Sequence, residues 1–179
     1  MGDFGIPYQI RLLAWLCLDD QSSQFLQYIR PEYCESSLLQ TLVPIITDYR
    51  KHYRQNPTAN VLRAELDRQP LRFTMEEGEQ FDAVCNLIEI GQFPEQTYVK
   101  DSFTAFICNR ELLTTLASDD TIAMVDAGDW QGILSRLRQA QPQIHTLNTD
   151  IDLFDFTILE PLFNMNSMQT GVPLIDNRI

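Results

Sequence analysis

The sequence is short of basic residues, of histidine and of long apolar runs, and each shortage argues against a class of protein. Thirteen Lys and Arg stand against 25 Asp and Glu, which gives a net charge of -12 at pH 7. Phosphate backbones are bound mainly through basic side chains, so we expect no direct contact with nucleic acid. No apolar run approaches the roughly 20 residues that cross a bilayer, and no signal peptide is evident. These features indicate a cytoplasmic protein without a membrane segment.

Residues that bind metals or catalyse reactions are also scarce. The two histidines, His52 and His145, lie in a basic helix end and in a polar stretch, where solvated or structural roles are expected. The phosphate-binding pattern G-x-x-x-x-G-K-[ST] is missing, so this chain should bind no nucleotide and catalyse no hydrolysis. The four cysteines are widely spaced without a CxxC pair, which predicts free buried thiols in a reducing compartment; they are Cys17, Cys34, Cys85 and Cys108.

Two acidic clusters and one basic set suit structural roles better than ligand sites. Glu76, Glu77 and Glu79 do not share one helix face, so they are expected at a solvated helix start. The aspartates at 150, 152 and 155 alternate with apolar residues that favour burial over a cation-binding loop. The basic set at 50, 51 and 54 is too small for a DNA surface in an acidic protein and suits a helix C-terminus. We therefore expect no cofactor and no metal in this chain.

Helical periodicity runs through residues 1–94 and predicts a small globular domain of the all-α class. The opening run after Pro7 is apolar on nearly all sides, which requires a buried helix. Ser36-Ser37, Thr58 and Thr74 each precede an apolar repeat at helical spacing, as helix caps do. Pro44 interrupts the third helix, so a kink there or a start beyond it is expected.

Residues 95–141 predict a helical hairpin whose two arms meet at a polar turn around 118–120, with a second break at Gly128-Asp129. Both arms carry an apolar stripe, and two interpretations are open: a surface shared with another copy, or the core of this chain. We favoured the shared surface, and therefore a homo-oligomer. The residues assigned to it are Val99, Phe103, Phe106, Ile107, Leu113, Leu116, Trp130, Leu134 and Leu137.

Residues 142–169 begin as a polar, aperiodic linker and continue into a short apolar helix that Pro161 ends or kinks. Such a helix needs a groove on another domain, because its apolar face does not stay in water by preference. The residues assigned to this docking are Ile151, Phe154, Phe156, Ile158 and Leu159.

The order of these parts resembles the N-terminal region of DnaB-type replicative helicases, closest to those of tailed phages. The resemblance rests on several phrases, which are the opening helix at 12–18, Pro31-Glu32-Tyr33, Asn56-Pro57-Thr58, Arg110-Glu111-Leu112-Leu113 and Asp126-Ala127-Gly128-Asp129. Residues 170–179 contain Thr170-Gly171-x-x-x-Ile175-Asp176, which is similar to the phrase with which the family's RecA-like motor domain begins.

The resemblance implies a collar module that assembles into a dimer or hexamer through its hairpin and contacts primase or a helicase loader. Hydrolysis of ATP with magnesium would belong to the motor domain of the parent helicase in a bacterial or phage-infected cell. The alternative is a free-standing helicase-loading or primase-binding adaptor without a motor domain. A third interpretation is an unrelated regulatory helical dimer.

Overall fold

A computed structural model describes residues 4–70 and 72–140, and within these ranges the chain is all-α, as predicted. Its helices are α1 (Ile6–Leu18), α2 (Ser37–Tyr53), α3 (Ala59–Asp67), α4 (Met75–Ile90), α5 (Gln96–Leu116), α6 (Asp119–Ala127) and α7 (Trp130–Ala140). Two short 3-10 helices, Asp20–Gln24 and Pro31–Tyr33, lie between α1 and α2. The predicted linker at 142–169, its docking residues Ile151, Phe154, Phe156, Ile158 and Leu159, and the segment 170–179 lie outside the described residues.

The predicted caps begin the predicted helices. Ser36, Thr58 and Thr74 each accept a hydrogen bond from the backbone N–H three residues on, at the start of α2, α3 and α4. At α4 the cap is reciprocal, because the Glu77 carboxylate also accepts from the Thr74 N–H at 2.9 Å. α2 begins at Ser37 and continues through Pro44, so the predicted alternative of a helix that starts beyond Pro44 is wrong. The Pro44 side chain is exposed to solvent.

The described residues divide into two compact units, and the division falls between Glu111 and Leu112. This division falls inside α5, whereas the sequence predicted a boundary at residue 94. The first three quarters of α5 belong to the first unit, because the apolar side chains of that part pack in the unit's core. Phe103 lies 5.0 Å from Phe25 and 6.1 Å from Trp15, measured between ring centroids. Phe106 lies 5.4 Å from Tyr8 in the same way.

α1 is the central helix of the first unit. Leu12, Leu13 and Trp15 are fully buried, as its apolar circumference predicted. The Tyr8 hydroxyl donates to the Val99 carbonyl at 3.3 Å, which ties α1 to α5. The Tyr33 hydroxyl donates to Glu111, which also pairs with Arg30 at 3.2 Å. The four cysteines are free and buried, as predicted.

Candidate interaction surface

The described part of the second unit is a helical hairpin formed by α6 and α7, with the end of α5 preceding it. Asp120 in the first turn of α6 pairs with Arg136 of α7 at 2.8 Å, although 16 residues separate them. A continuous helix would hold these residues roughly 24 Å apart. The chain therefore reverses between α6 and α7.

The reversal occurs at Gly128-Asp129. Gly128 ends α6 with φ at 70°, the left-handed region that glycine adopts without steric cost. Asp129 then caps α7 by accepting from the Gly132 N–H at 2.9 Å. A Cβ at position 132 would lie 2.8 Å from the Asp129 Cγ, so the absence of a side chain at Gly132 leaves room for this cap. The sequence predicted a turn at 118–120 and a second break here, and the structure has helix boundaries at both places, since α5 ends at Leu116 and Ser118 caps α6. The reversal shown by the Asp120–Arg136 pair lies at the second of them.

Residues 115–121 form a helix-to-helix connection held by hydroxyl groups. Ser118 caps α6, and its Oγ also donates to the Thr115 carbonyl at 2.8 Å. The Thr121 Oγ1 donates to the same carbonyl at 2.7 Å, and Thr121 is buried. Two hydroxyls thus join the Ser118 N–H, at 3.3 Å, as donors to a carbonyl in the last turn of α5.

Large aliphatic side chains are exposed on this unit. Leu113 and Leu116 at the end of α5 are 48% and 43% exposed, and Ile122 and Val125 of α6 are 50% and 47% exposed. We call these four residues the aliphatic surface. An aliphatic side chain gains free energy when it leaves water, so a group of this kind within a short segment is typical of a binding surface.

The structure corrects the sequence-based interface in its first four members. Val99, Phe103, Phe106 and Ile107 are buried in the core of the first unit and offer no surface to a second chain. For these four residues, the interpretation of the α5 stripe as part of this chain's own core is therefore correct. Leu113 and Leu116 are exposed, because α5 continues beyond the first unit there.

The α7 residues that the sequence assigned to the interface differ in their solvent exposure. Leu134 is buried and Leu137 is partly buried, whereas Trp130 is about half exposed. Ile122 and Val125 were not assigned to the interface from the sequence. The available signal was their spacing of three on a nine-residue helix whose other positions are largely small or acidic.

Metal-ligating groups, thiols and long apolar helices were the remaining features that could define a site in the described residues. Within residues 4–70 and 72–140, no group of three metal-ligating side chains is close enough to hold an ion. Burial raises the pKa of the Cys34 thiol to about 12, which keeps it protonated and weakly nucleophilic at neutral pH. In the same ranges no helix has the length and apolar character needed to cross a bilayer.

Comparison of the chain with models of protein families, with curated proteins and with solved structures gives no match. The functional conclusion therefore depends on the residues and surfaces described above, together with the resemblance carried by the order of the sequence phrases.

Proposed function

We propose that this chain is the N-terminal collar module of a DnaB-type replicative helicase, which assembles through the aliphatic surface and presents its globular unit to primase or a helicase loader. The alternative, a free-standing adaptor that binds the same partners, would use the same two parts. ATP and magnesium would be bound by the motor domain of the parent helicase.

The aliphatic surface is the observation that carries this proposal. Leu113, Leu116, Ile122 and Val125 are each exposed by more than two fifths. The first unit has its own aromatic and aliphatic core around Trp15, so the aliphatic surface is not needed to complete that core. A globular unit with a self-sufficient core and a helical segment with exposed aliphatic side chains are the two parts that a collar module requires.

The energy of the aliphatic surface predicts weak pairing. Complete burial of a Leu, Ile or Val side chain contributes roughly 1.5–3 kcal/mol, and these four are already half buried, so a pair that covers the surface on both chains gains about 6–12 kcal/mol. Association costs about 4–15 kcal/mol in lost rigid-body freedom, which offsets most of this gain. The chain alone should therefore associate in a concentration-dependent way, and other domains of the parent protein would stabilise a ring by multivalent contact.

Sedimentation velocity of the full chain over a range of concentrations tests the assembly. We expect a monomer that converts to a dimer or larger species as concentration rises. Ile122→Asp should abolish the conversion, because a carboxylate buried without a partner costs several kcal/mol. Met75→Asp is the matched control, since Met75 is an exposed apolar residue of the first unit. Equal association of the two variants would reject the aliphatic surface as the contact.

The helicase assignment itself has a separate test. The natural reading frame should continue after residue 179 into a motor domain with a phosphate-binding loop. A stop codon near that point, combined with binding of the chain to a purified primase or helicase in a titration, would favour the adaptor instead. Binding to neither, with no downstream motor domain, would leave the regulatory dimer as the remaining interpretation.

A further inference from the structure

A wide groove crosses the first unit between the loop that follows α1 and the second half of α2. Its volume is about 1140 Å³. The apolar side chains that reach solvent along it are Leu26, Pro31 and Pro44, with Ile29 and Val43 buried beneath them. The groove is formed by residues 20–56, so it is separate in sequence from the aliphatic surface at 113–125.

Three cations line this groove, and they differ from six other arginines in the described ranges. Six arginines elsewhere in the described ranges pair with a carboxylate, namely Arg11, Arg30, Arg63, Arg68, Arg110 and Arg136. Within those same ranges Arg50, Lys51 and Arg54 form no ion pair, and all three lie at the groove. In a chain of net charge -12, this is a local excess of positive charge.

The groove has one acidic residue against these three cations. Asp20 lines the groove as well, where its charge acts on Arg50 and its carboxylate accepts a hydrogen bond from the Asn56 Nδ2 at 2.8 Å. Arg50 is buried and directs its guanidinium to backbone carbonyls and serine hydroxyls, whereas Lys51 and Arg54 are exposed. Lys51 and Arg54 are therefore the two cations available to a ligand.

The backbone at Arg54 supports a role for its side chain. Arg54 ends α2 with φ at 53°, and it is the non-glycine residue with positive φ in the described ranges. Glycine usually occupies this left-handed capping position, because a Cβ there is sterically unfavourable. An arginine at this position places a charged side chain at the edge of the groove at a cost in backbone energy. A basic helix end explains the charge, but it does not explain the choice of arginine over glycine.

We propose that this groove binds an acidic segment of a partner protein whose carboxylates alternate with apolar side chains. The carboxylates would pair with Lys51 and Arg54, and the apolar side chains would cover Leu26, Pro31 and Pro44. A nucleic acid fits less well, because its continuous phosphate charge meets the strongly negative remainder of the protein. The apolar side chains along the groove also favour a peptide. This inference does not depend on the aliphatic surface or on the helicase assignment.

Fluorescence anisotropy with the full chain tests the proposal. The probe is a short labelled peptide in which Asp and Glu alternate with Leu and Phe, and its matched control carries Asn and Gln at the acidic positions. We expect binding of the acidic peptide that weakens with added salt, and at least about tenfold weaker binding of the amide peptide. Absence of binding to the acidic peptide, or equal affinity for the two peptides, overturns the proposal.

Substitutions then locate the site. The double variant Lys51→Glu/Arg54→Glu should lose at least about tenfold in affinity, because two attractive contacts become repulsive. The double variant Arg72→Glu/Lys100→Glu makes the same charge change at exposed positions outside the groove and should stay within about twofold. Equal losses in the two double variants would show a general charge effect and overturn the groove as the site.

Two further measurements separate a peptide site from other anion sites. Arg54→Gly removes one cation and replaces a strained left-handed residue by glycine. The variant should therefore fold well, and its affinity for the acidic peptide should nevertheless be lower than that of the natural chain. Inorganic phosphate and a single-stranded oligonucleotide, each at the same concentration as the acidic peptide, should not displace that peptide from the chain. Competition by phosphate alone would show a simple anion site, and competition by the oligonucleotide would show a nucleic-acid site; either result overturns the proposal.

Discussion

The Arg50 guanidinium donates to the carbonyl oxygen of Leu16 at 2.7 Å, which connects the end of α2 to the end of α1. Leu16 is one of the last residues of α1, whose final carbonyls have no helical partner. Arg50 also donates to the Asp20 carbonyl at 3.1 Å and to the Ser23 hydroxyl at 2.8 Å. Burial lowers the pKa of this guanidinium from its ordinary value. Arg50 thus caps a helix other than its own with a cation suited to the helix dipole.

Replacing Arg50 should destabilise the first unit. Arg50→Met keeps the apolar stem but removes the charged hydrogen bonds to the Leu16 and Asp20 carbonyls and to the Ser23 hydroxyl, and we expect a loss of about 2–4 kcal/mol in the free energy of unfolding. Urea unfolding followed by circular dichroism measures it. Lys51→Met, at an exposed neighbour, should change the same quantity by less than about 0.5 kcal/mol. Equal effects at both positions would contradict a capping role for Arg50.

Glu77 should make stability depend on pH in the acid range. The Ser37 hydroxyl and the Thr74 N–H donate to its carboxylate and lower its pKa from 4.5 to about 2. Because the folded pKa is depressed, this contribution is complete above pH 4.5 and is lost as pH falls towards 2. Glu77→Gln should therefore show a smaller acid-induced fall in stability than the natural chain.

The measurement for Glu77 is urea unfolding at several pH values between neutral and strongly acidic. Glu76→Gln removes one charge from the same helical turn without touching Ser37, and it serves as the control. An acid dependence that Glu77→Gln leaves unchanged would show that other carboxylates are responsible.

Phe103 and Leu113 lie on the same helix, and their replacement by alanine should change stability by very different amounts. Phe103 is fully buried against Trp15 and Phe25, so Phe103→Ala should cost about 3–5 kcal/mol of stability. Leu113 is 48% exposed, so Leu113→Ala should change stability by less than about 0.5 kcal/mol. Thermal and urea unfolding of both variants compare them directly. Similar costs would place Leu113 in a core as well.

Arg54→Gly should stabilise the protein, although it removes a side chain. The left-handed conformation costs a non-glycine residue about 1 kcal/mol, and glycine adopts it freely. Lys51→Gly, inside the last turns of α2, should have the opposite sign, because glycine in a helix interior costs about 1 kcal/mol. Measured free energies of unfolding of the two variants test this prediction. A destabilised Arg54→Gly variant would show instead that the arginine side chain stabilises the fold.

Local patterns in the sequence were enough to predict much of this fold. The caps at Ser36, Thr58 and Thr74 and the left-handed break at Gly128 were predicted correctly, because each depends on bonds within a few residues along the chain. The all-α class followed from helical periodicity for the same reason.

Which residues contact each apolar or charged helix face was determined by the tertiary structure. The stripe on α5 has one continuous helical period, yet Phe103 is buried and Leu113 is exposed, because the first unit covers only part of the helix. Arg50 belongs by sequence to the basic end of α2, but it caps α1, which lies 34 residues away in sequence. Periodicity determines which side of a helix is apolar. Contacts between residues distant in sequence determine what covers that side, and only the folded chain brings those residues together.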